Sequence, residues 1–260
     1  SIHPNVFAGI LILLIPIALA QLAFAFRSPA WINVIAGASA IAMSSALLLS
    51  LSRSAILALA AAVLALLILH GRSGWLALAI ALLISVGVVF RFGVYKTLGL
   101  LMASASLGGY SSRLDIWLRA LYILQDFPFT GVGMGAFPEV ANRLYPFTYF
   151  EPGWVHHTHN LYLQIAVDFG VVGILAWLAI FTLATLAAWR AYRIGLKVQD
   201  RELAAVGAGL FGSQLALGLH GLTDAVTWGM VRPAPLVWAL WGLSIAALRI
   251  AKDVQSARPG

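Results

Sequence analysis

Apolar residues in this chain come in long unbroken runs. Seven of them cover residues 6–26, 30–50, 54–69, 74–90, 161–189, 203–222 and 233–250. A helix needs about 20 apolar residues to cross the hydrocarbon of a bilayer. Strands of a membrane barrel would alternate apolar and polar positions, so each run predicts a helix. The run at 54–69 is short for a crossing. The run at 161–189 is too long for one, and Asp168-Phe169-Gly170 is the expected break between a short surface helix and the true crossing. The predicted fold class is all-α, a polytopic transmembrane helix bundle of about seven spans.

One segment departs from this pattern. Residues 91–160 are too long for a simple connector, and loops of this size are usually functional. A Gly/Ser-rich stretch at 104–112 leads into an amphipathic run at 113–124. Ser112 is placed to cap it and Asp115 suits its first turn. Leu114, Trp117, Leu118, Leu121 and Leu124 share one face, the pattern of a helix lying at a membrane surface. A turn-rich loop follows at 126–138, then Tyr145, Phe147, Tyr149, Phe150 and Trp154, then His156-His157-Thr158-His159-Asn160. Three parts result: four membrane helices in 1–90, a loop with a surface helix and a histidine cluster in 91–160, and three membrane helices with a tail in 161–260.

Composition agrees with the pattern. Residues of the AVILMFWYC set make up 62% of the 260 residues and DEKR only 10%; the mean hydropathy is +0.94. Globular domains run near 45–50% apolar and about 25% charged, so so few charges could not clothe a water-soluble surface. Disorder is excluded by the same apolar content. There is no cysteine, hence no disulfide, thiolate metal site or thiol nucleophile. The chain opens at Ser1 without a basic leader, so no signal peptide is expected.

The formal charge of +7 sets orientation. Alternate connections carry Arg27, then Arg72, then Arg190, Arg193, Lys197 and Arg201, then Arg249, Lys252 and Arg258. The short connections of the other set hold only Arg53 and Arg232. Short cytoplasmic loops are the Lys/Arg-rich ones, so the first set is expected in the cytoplasm. The N-terminus, the turn at 50–54, the 91–160 segment and the 223–232 loop then fall outside. The excess of positive charge thus reflects membrane anchoring, and no nucleic-acid partner is expected.

Several polar residues stand out on the outer side. Arg53, in a tight turn between two apolar runs, is either an arginine snorkelling to head groups or a functional cation. Arg113 lies near one face with Trp117, and Arg119 follows. Guanidiniums bind phosphate oxygens bidentately and an indole can stack on a sugar; the plain alternative is an interfacial Arg/Trp belt. His157 and His159 stand together, and a histidine can take a proton from a hydroxyl. His-x-His can also bind a metal, but carboxylate support is thin, with only Glu151 near; no metal and no cofactor are expected. The bland reading is a cap on the next helix, with Asn160 or Thr158 as N-cap. Asp168 is either a buried acid that orients His159 or an arginine, or a helix end. His220 and Asp224 line a cavity or face the interface, and Pro4-Asn5 forms a turn or a lip of the site. Gly131, Gly133 and Gly135 resemble a phosphate-cradling loop by count only, because no strand precedes them. Two cations and a base from distant parts of the chain, all on the outer face, suit a diphosphate and a hydroxyl that attacks beside it.

Several motifs resemble the O-antigen ligase and polymerase family: Ser-Arg-Ser-Ala at 52–55, Arg113-Leu-Asp-Ile-Trp117, Asp126-Phe-Pro-Phe-Thr-Gly-Val-Gly-Met-Gly-Ala-Phe137, His159-Asn-Leu-Tyr-Leu-Gln164, Asp168-Phe-Gly170 and His3-Pro-Asn5. The likeness runs in order over about residues 3 to 190. It implies the C-terminal part of a C-type glycosyltransferase-like fold of about a dozen spans. It implies a bacterial inner membrane, an active site facing the periplasm, and an undecaprenyl-diphosphate-linked glycan donor, with no metal or nucleotide. Carried over by motif, Arg53 and Arg113 engage the donor diphosphate and His159 acts near the acceptor; Trp117, Arg119, His157, Asn160 and Asp168 are the expected substrate-binding residues. The acceptor is lipid A core for a ligase, a growing glycan for a polymerase, or a protein side chain. Rivals of another class are an anion transporter and a structural scaffold.

Overall fold

The computed structural model describes residues 4–93, 107–148, 155–229 and 233–257. The described residues are helical throughout their regular structure, with no strand among them. The helices are α1 (Pro4–Phe24), α2 (Ala30–Leu49), α3 (Arg53–Leu69), α4 (Arg72–Phe92), α5 (Leu107–Asp126), α6 (Phe137–Leu144), α7 (Leu161–Lys197), α8 (Arg201–Gly221) and α9 (Ala234–Ser256). Five of them, α1, α2, α7, α8 and α9, are long and apolar enough to cross a membrane. The two other expected spans are helices at the expected places but are not among those five; α3 has 17 residues.

Helix α8 is the centre because its sequence is mostly small. Gly207, Ala208, Gly209 and Gly212 let α1, α3, α7 and α9 close around it. A Cβ on Gly207 would lie 2.3 Å from the backbone nitrogen of Tyr192, so α7 and α8 touch backbone to backbone. Polar side chains seal the same core. Pro16 has no N–H and leaves a gap in the α1 ladder; nearby, the Ser213 hydroxyl donates to the Leu13 carbonyl at 2.6 Å. Gln214 donates to Ser244 Oγ at 2.9 Å and accepts from Thr185 Oγ1 at 2.8 Å. It thereby joins α7, α8 and α9.

The bundle has two distinct ends. At one, Phe24 meets the His70 ring at 5.3 Å and the Tyr192 hydroxyl donates to Leu69 O at 2.8 Å. This end gathers the Lys/Arg-rich connections. At the other, Asn5 reaches Asp224 and Asn160 reaches Leu222 O. Because α1 and α3 finish together at the basic end, the start of α3, with Arg53, belongs to the opposite end, as does Asn5.

One sequence expectation needs correcting. The surface helix runs from Leu107, so Ser112 lies inside it and not at its N-cap position. Ile116, Ala120 and Ile123 pack on Phe137, Ala141, Val155 and Val167, whereas Leu114, Leu118 and Leu121 remain exposed. Three leucines of the apolar face read from the sequence are thus exposed, Trp117 of that face packs partly against the buried cluster, and the small Ala120 lets α5 seat closely on α6 and α7. The break in the long helix falls within the expected motif, at Gly170 with φ 69° and ψ −171°. Glu151, the aromatics at 149, 150 and 154, and His3 lie outside the described residues.

Candidate functional site

The site starts from the break in α7. Around Gly170 the helix loses its own hydrogen bonds, and the turn-rich loop after α5 replaces them. Val132 N donates to Val167 O at 2.8 Å, Gly133 N to Asp168 O at 3.0 Å, and Val171 N to Pro128 O at 2.7 Å. Such contact needs bare backbone on both sides. A Cβ on Gly131 would lie 2.5 Å from the Asp168 carbonyl carbon, and one on Gly170 would lie 2.4 Å from Phe129 O. The glycine motif is thus a helix-docking element, a role that glycine count alone does not reveal.

Docking fixes Asp168, which is buried. One carboxylate oxygen accepts from Gln164 Nε2 at 2.9 Å and the other from Trp228 Nε1 at 2.9 Å. No hydrogen bond joins it to His159 or to an arginine among the described residues. Gln164 passes the order on, its Oε1 accepting the backbone N–H of Thr158 at 2.8 Å. Thr158 is fully enclosed. Its carbonyl accepts the indole N–H of Trp117 at 2.9 Å and its hydroxyl donates to Asn160 O at 2.7 Å. Asn160 is the N-cap, accepting from Leu163 N at 3.0 Å, and its amide donates to Leu222 O at 3.1 Å. The histidine loop is therefore clamped from α5, α7 and the loop after α8.

This clamp holds His159 in the left-handed region, φ 51°, a conformation costing an L-residue roughly 1–2 kcal/mol. The His157 and His159 rings are 4.1 Å apart between centroids. Asp224 joins them: ligand-type atoms of His157, His159 and Asp224 all lie within 4.8 Å of one another. Asp224 is itself buried and oriented, with one oxygen accepting from Ala225 N at 2.8 Å and the other from Asn5 Nδ2 at 3.2 Å. His220 lies one helical turn before Asp224, with its Nε2 buried and unbonded. Arg113, in the second turn of α5, lies within charge-interaction range of His220, which places it at this end of the bundle. Arg53 stands exposed at the first position of α3, at the same end.

The other expected substrate residues have partners. Arg119 pairs with buried Asp115 at 3.1 Å and donates to Thr148 Oγ1 at 3.0 Å. Trp117 spends its N–H on Thr158. The carboxylate support for a metal, thin in the sequence, is supplied by Asp224. The tautomer opposes that use. His157 Nδ1 accepts the backbone N–H of His159 at 3.1 Å, so in the neutral ring the proton sits on Nε2 and leaves no lone pair there for a cation.

The family described as O-antigen ligase matches residues 38–178, just over half of the chain and the stretch that carries Arg53, Arg113, the docking loop and the histidines. The chain belongs to the O-antigen ligase family. It is a multi-pass membrane protein of that family, and glycan transfer in general is what membership supports. A search of curated proteins found no match. Asp224, His220 and Asn5, outside the best-marked motifs, were the residues that sequence reasoning weighted least. A histidine and an acid four apart at the end of an apolar run, facing the Asn5 end, were the available signal.

Proposed function

We propose that the protein transfers a glycan from an undecaprenyl-diphosphate carrier to an acceptor hydroxyl, with inversion and without a metal, at the periplasmic face of the bacterial inner membrane. The O-antigen ligase reaction, with lipid A core as acceptor, is the form favoured. Residues 1–90 and 161–260 form the membrane parts of this reading and 91–160 the periplasmic segment, within a longer protein of about a dozen spans. The observation that carries it is the meeting of His157, His159 and Asp224 at the end of the bundle away from the basic loops.

His159 accepts the proton of the acceptor hydroxyl as its oxygen attacks the anomeric carbon. The bond from that carbon to the diphosphate breaks, and Arg113 and Arg53 neutralise the charge that grows on the leaving group. Buried Asp224 sits where it stabilises the imidazolium formed on His159. His157 and Asn160 hold the loop, and Trp117, Arg119 and Asp168 shape its surroundings.

The test is transfer from lipid-linked donor by purified protein. Arg113→Ala and Arg53→Ala should each lose about 100- to 1,000-fold and His159→Ala about 100- to 10,000-fold, with chelator having no effect. Wild-type rates in the arginine variants would remove them from the site, and strong inhibition by chelator would restore a metal. Solute uptake by proteoliposomes without glycan transfer would replace the enzyme with a carrier.

A further inference from the structure

The basic end of the bundle holds a cavity of about 640 Å³ that the glycan-transfer reading does not use. It is bounded by the last turns of α1, α3 and α7 and the first turn of α8. Its lining combines apolar residues, Phe24, Leu69, Leu196 and Ala204, with polar ones, Arg27, Arg201, His70, Gln199 and Asp200. A second hollow of about 370 Å³ adjoins it and shares Arg27 and Arg201.

The rim is rigidly built. Asn33 Nδ2 donates to Phe26 O at 2.8 Å and to Ser28 O at 3.1 Å. Gln21 Nε2 donates to Ser28 Oγ at 3.2 Å, and Ser28 Oγ donates to Glu202 at 3.1 Å. The turn that carries Arg27 is thereby tied to the start of α8 that carries Arg201. A Cβ on Gly195 would lie 2.5 Å from Ala204 N, so α7 and α8 close the floor without a gap. Both acids here are engaged: Asp200 accepts from Leu203 N at 2.9 Å and Glu202 from Ser28. Both guanidiniums are exposed and make no hydrogen bond or ion pair among the described residues. Arg72, Arg190, Arg193 and Lys197 add positive charge to the same end.

We infer that this cavity binds an anionic phospholipid of the adjoining leaflet, its phosphate between Arg27 and Arg201 and part of an acyl chain against Phe24, Leu69 and Leu196. The volume is that of a small-ligand site, and the chemistry is that by which basic pockets between membrane helices hold acidic head groups. A free phosphate would satisfy the polar residues alone, leaving the apolar ones wet. The site is independent of the outer cluster and of the reaction proposed there.

The experiment measures thermal unfolding of the whole protein in neutral detergent with added phosphatidylglycerol, phosphatidylcholine or inorganic phosphate. Phosphatidylglycerol near saturation should raise Tm by about 5–10 °C over phosphatidylcholine. Arg27→Gln with Arg201→Gln should abolish that difference, whereas Arg249→Gln with Lys252→Gln, outside the cavity, should keep it. Equal shifts with the two lipids, a difference that survives in the cavity variant, or its equal loss in the second pair would each overturn the proposal. A rise with inorganic phosphate matching that with phosphatidylglycerol would overturn the lipid assignment.

Discussion

Replacing Gly170 with alanine tests whether the glycine-rich loop and the broken helix form one unit. At φ 69° and ψ −171° the backbone is in a region essentially reserved for glycine, where another residue costs about 1–3 kcal/mol. The new Cβ would lie 2.4 Å from Phe129 C and O. Those are backbone atoms of a docked loop and cannot swing aside. Pushing the loop off breaks the hydrogen bonds at 2.7, 2.8 and 3.0 Å that join it to residues 167–171, each worth about 0.5–1.5 kcal/mol net. Together these give a loss of about 2.5–7.5 kcal/mol. At roughly 2–4 °C per kcal/mol for a chain of this size, Tm should fall by at least about 5 °C. Gly133→Ala is the control: its φ is also positive, at +97°, but its Cβ meets nothing within 4 Å. It carries the backbone cost alone, about 1–2 kcal/mol. Thermal unfolding in detergent compares the two. If Gly170→Ala falls no further than Gly133→Ala, the loop is not docked as described and the chain of contacts from Gly170 to the histidine loop is wrong.

Two further outcomes follow from the same contacts. Asp168→Asn keeps the shape but turns an N–H₂ towards either Gln164 or Trp228, and should destabilise the protein by about 1–3 kcal/mol; Trp228→Phe, which removes one donor only, should cost about 0.5–1.5 kcal/mol. Chemical unfolding of both variants checks this, and a neutral Asp168→Asn would mean that the carboxylate is not holding both partners. The Tyr145 hydroxyl donates to Asp126, and that hydrogen bond, with partial burial and the nearby carboxylate charge, pushes the phenol up to about 12 from its usual 10.0. A pKa raised on folding stabilises fully below the unfolded value and is lost as pH rises through the folded one. The stability gap between wild type and Tyr145→Phe should therefore be constant below pH 10 and close towards pH 12; a gap that is unchanged across that range would show that the pair does not form.

Much of the helix content was legible from the sequence because it is encoded locally. Continuous apolar runs placed α1, α2, α8 and α9 within a few residues, and Asp168-Phe169-Gly170 marked the break in α7. The start of α5 was not legible, because Gly108 and Gly109 lower local helix propensity. Its protein-facing side drew no expectation, because five large apolar residues outweigh Ile116, Ala120 and Ile123 in any count, although this smaller set is the one that fits against α6 and α7. At the site, Arg113 and His159 were legible as chemistry out of place in an apolar chain. The partners of His159 were not.

By its own pattern of apolar runs the chain determined that it is a helical membrane protein and where most of its helices lie. Those properties depend on neighbours a few positions apart and on the cost of placing charge in lipid. Only the tertiary structure decided that Asn5 holds Asp224 from 219 positions away, that Trp117 and Gln164 meet on Thr158, and that the glycines serve docking. Such pairings are set by which helices can approach closely around α8, a condition on shape that no local stretch of sequence contains.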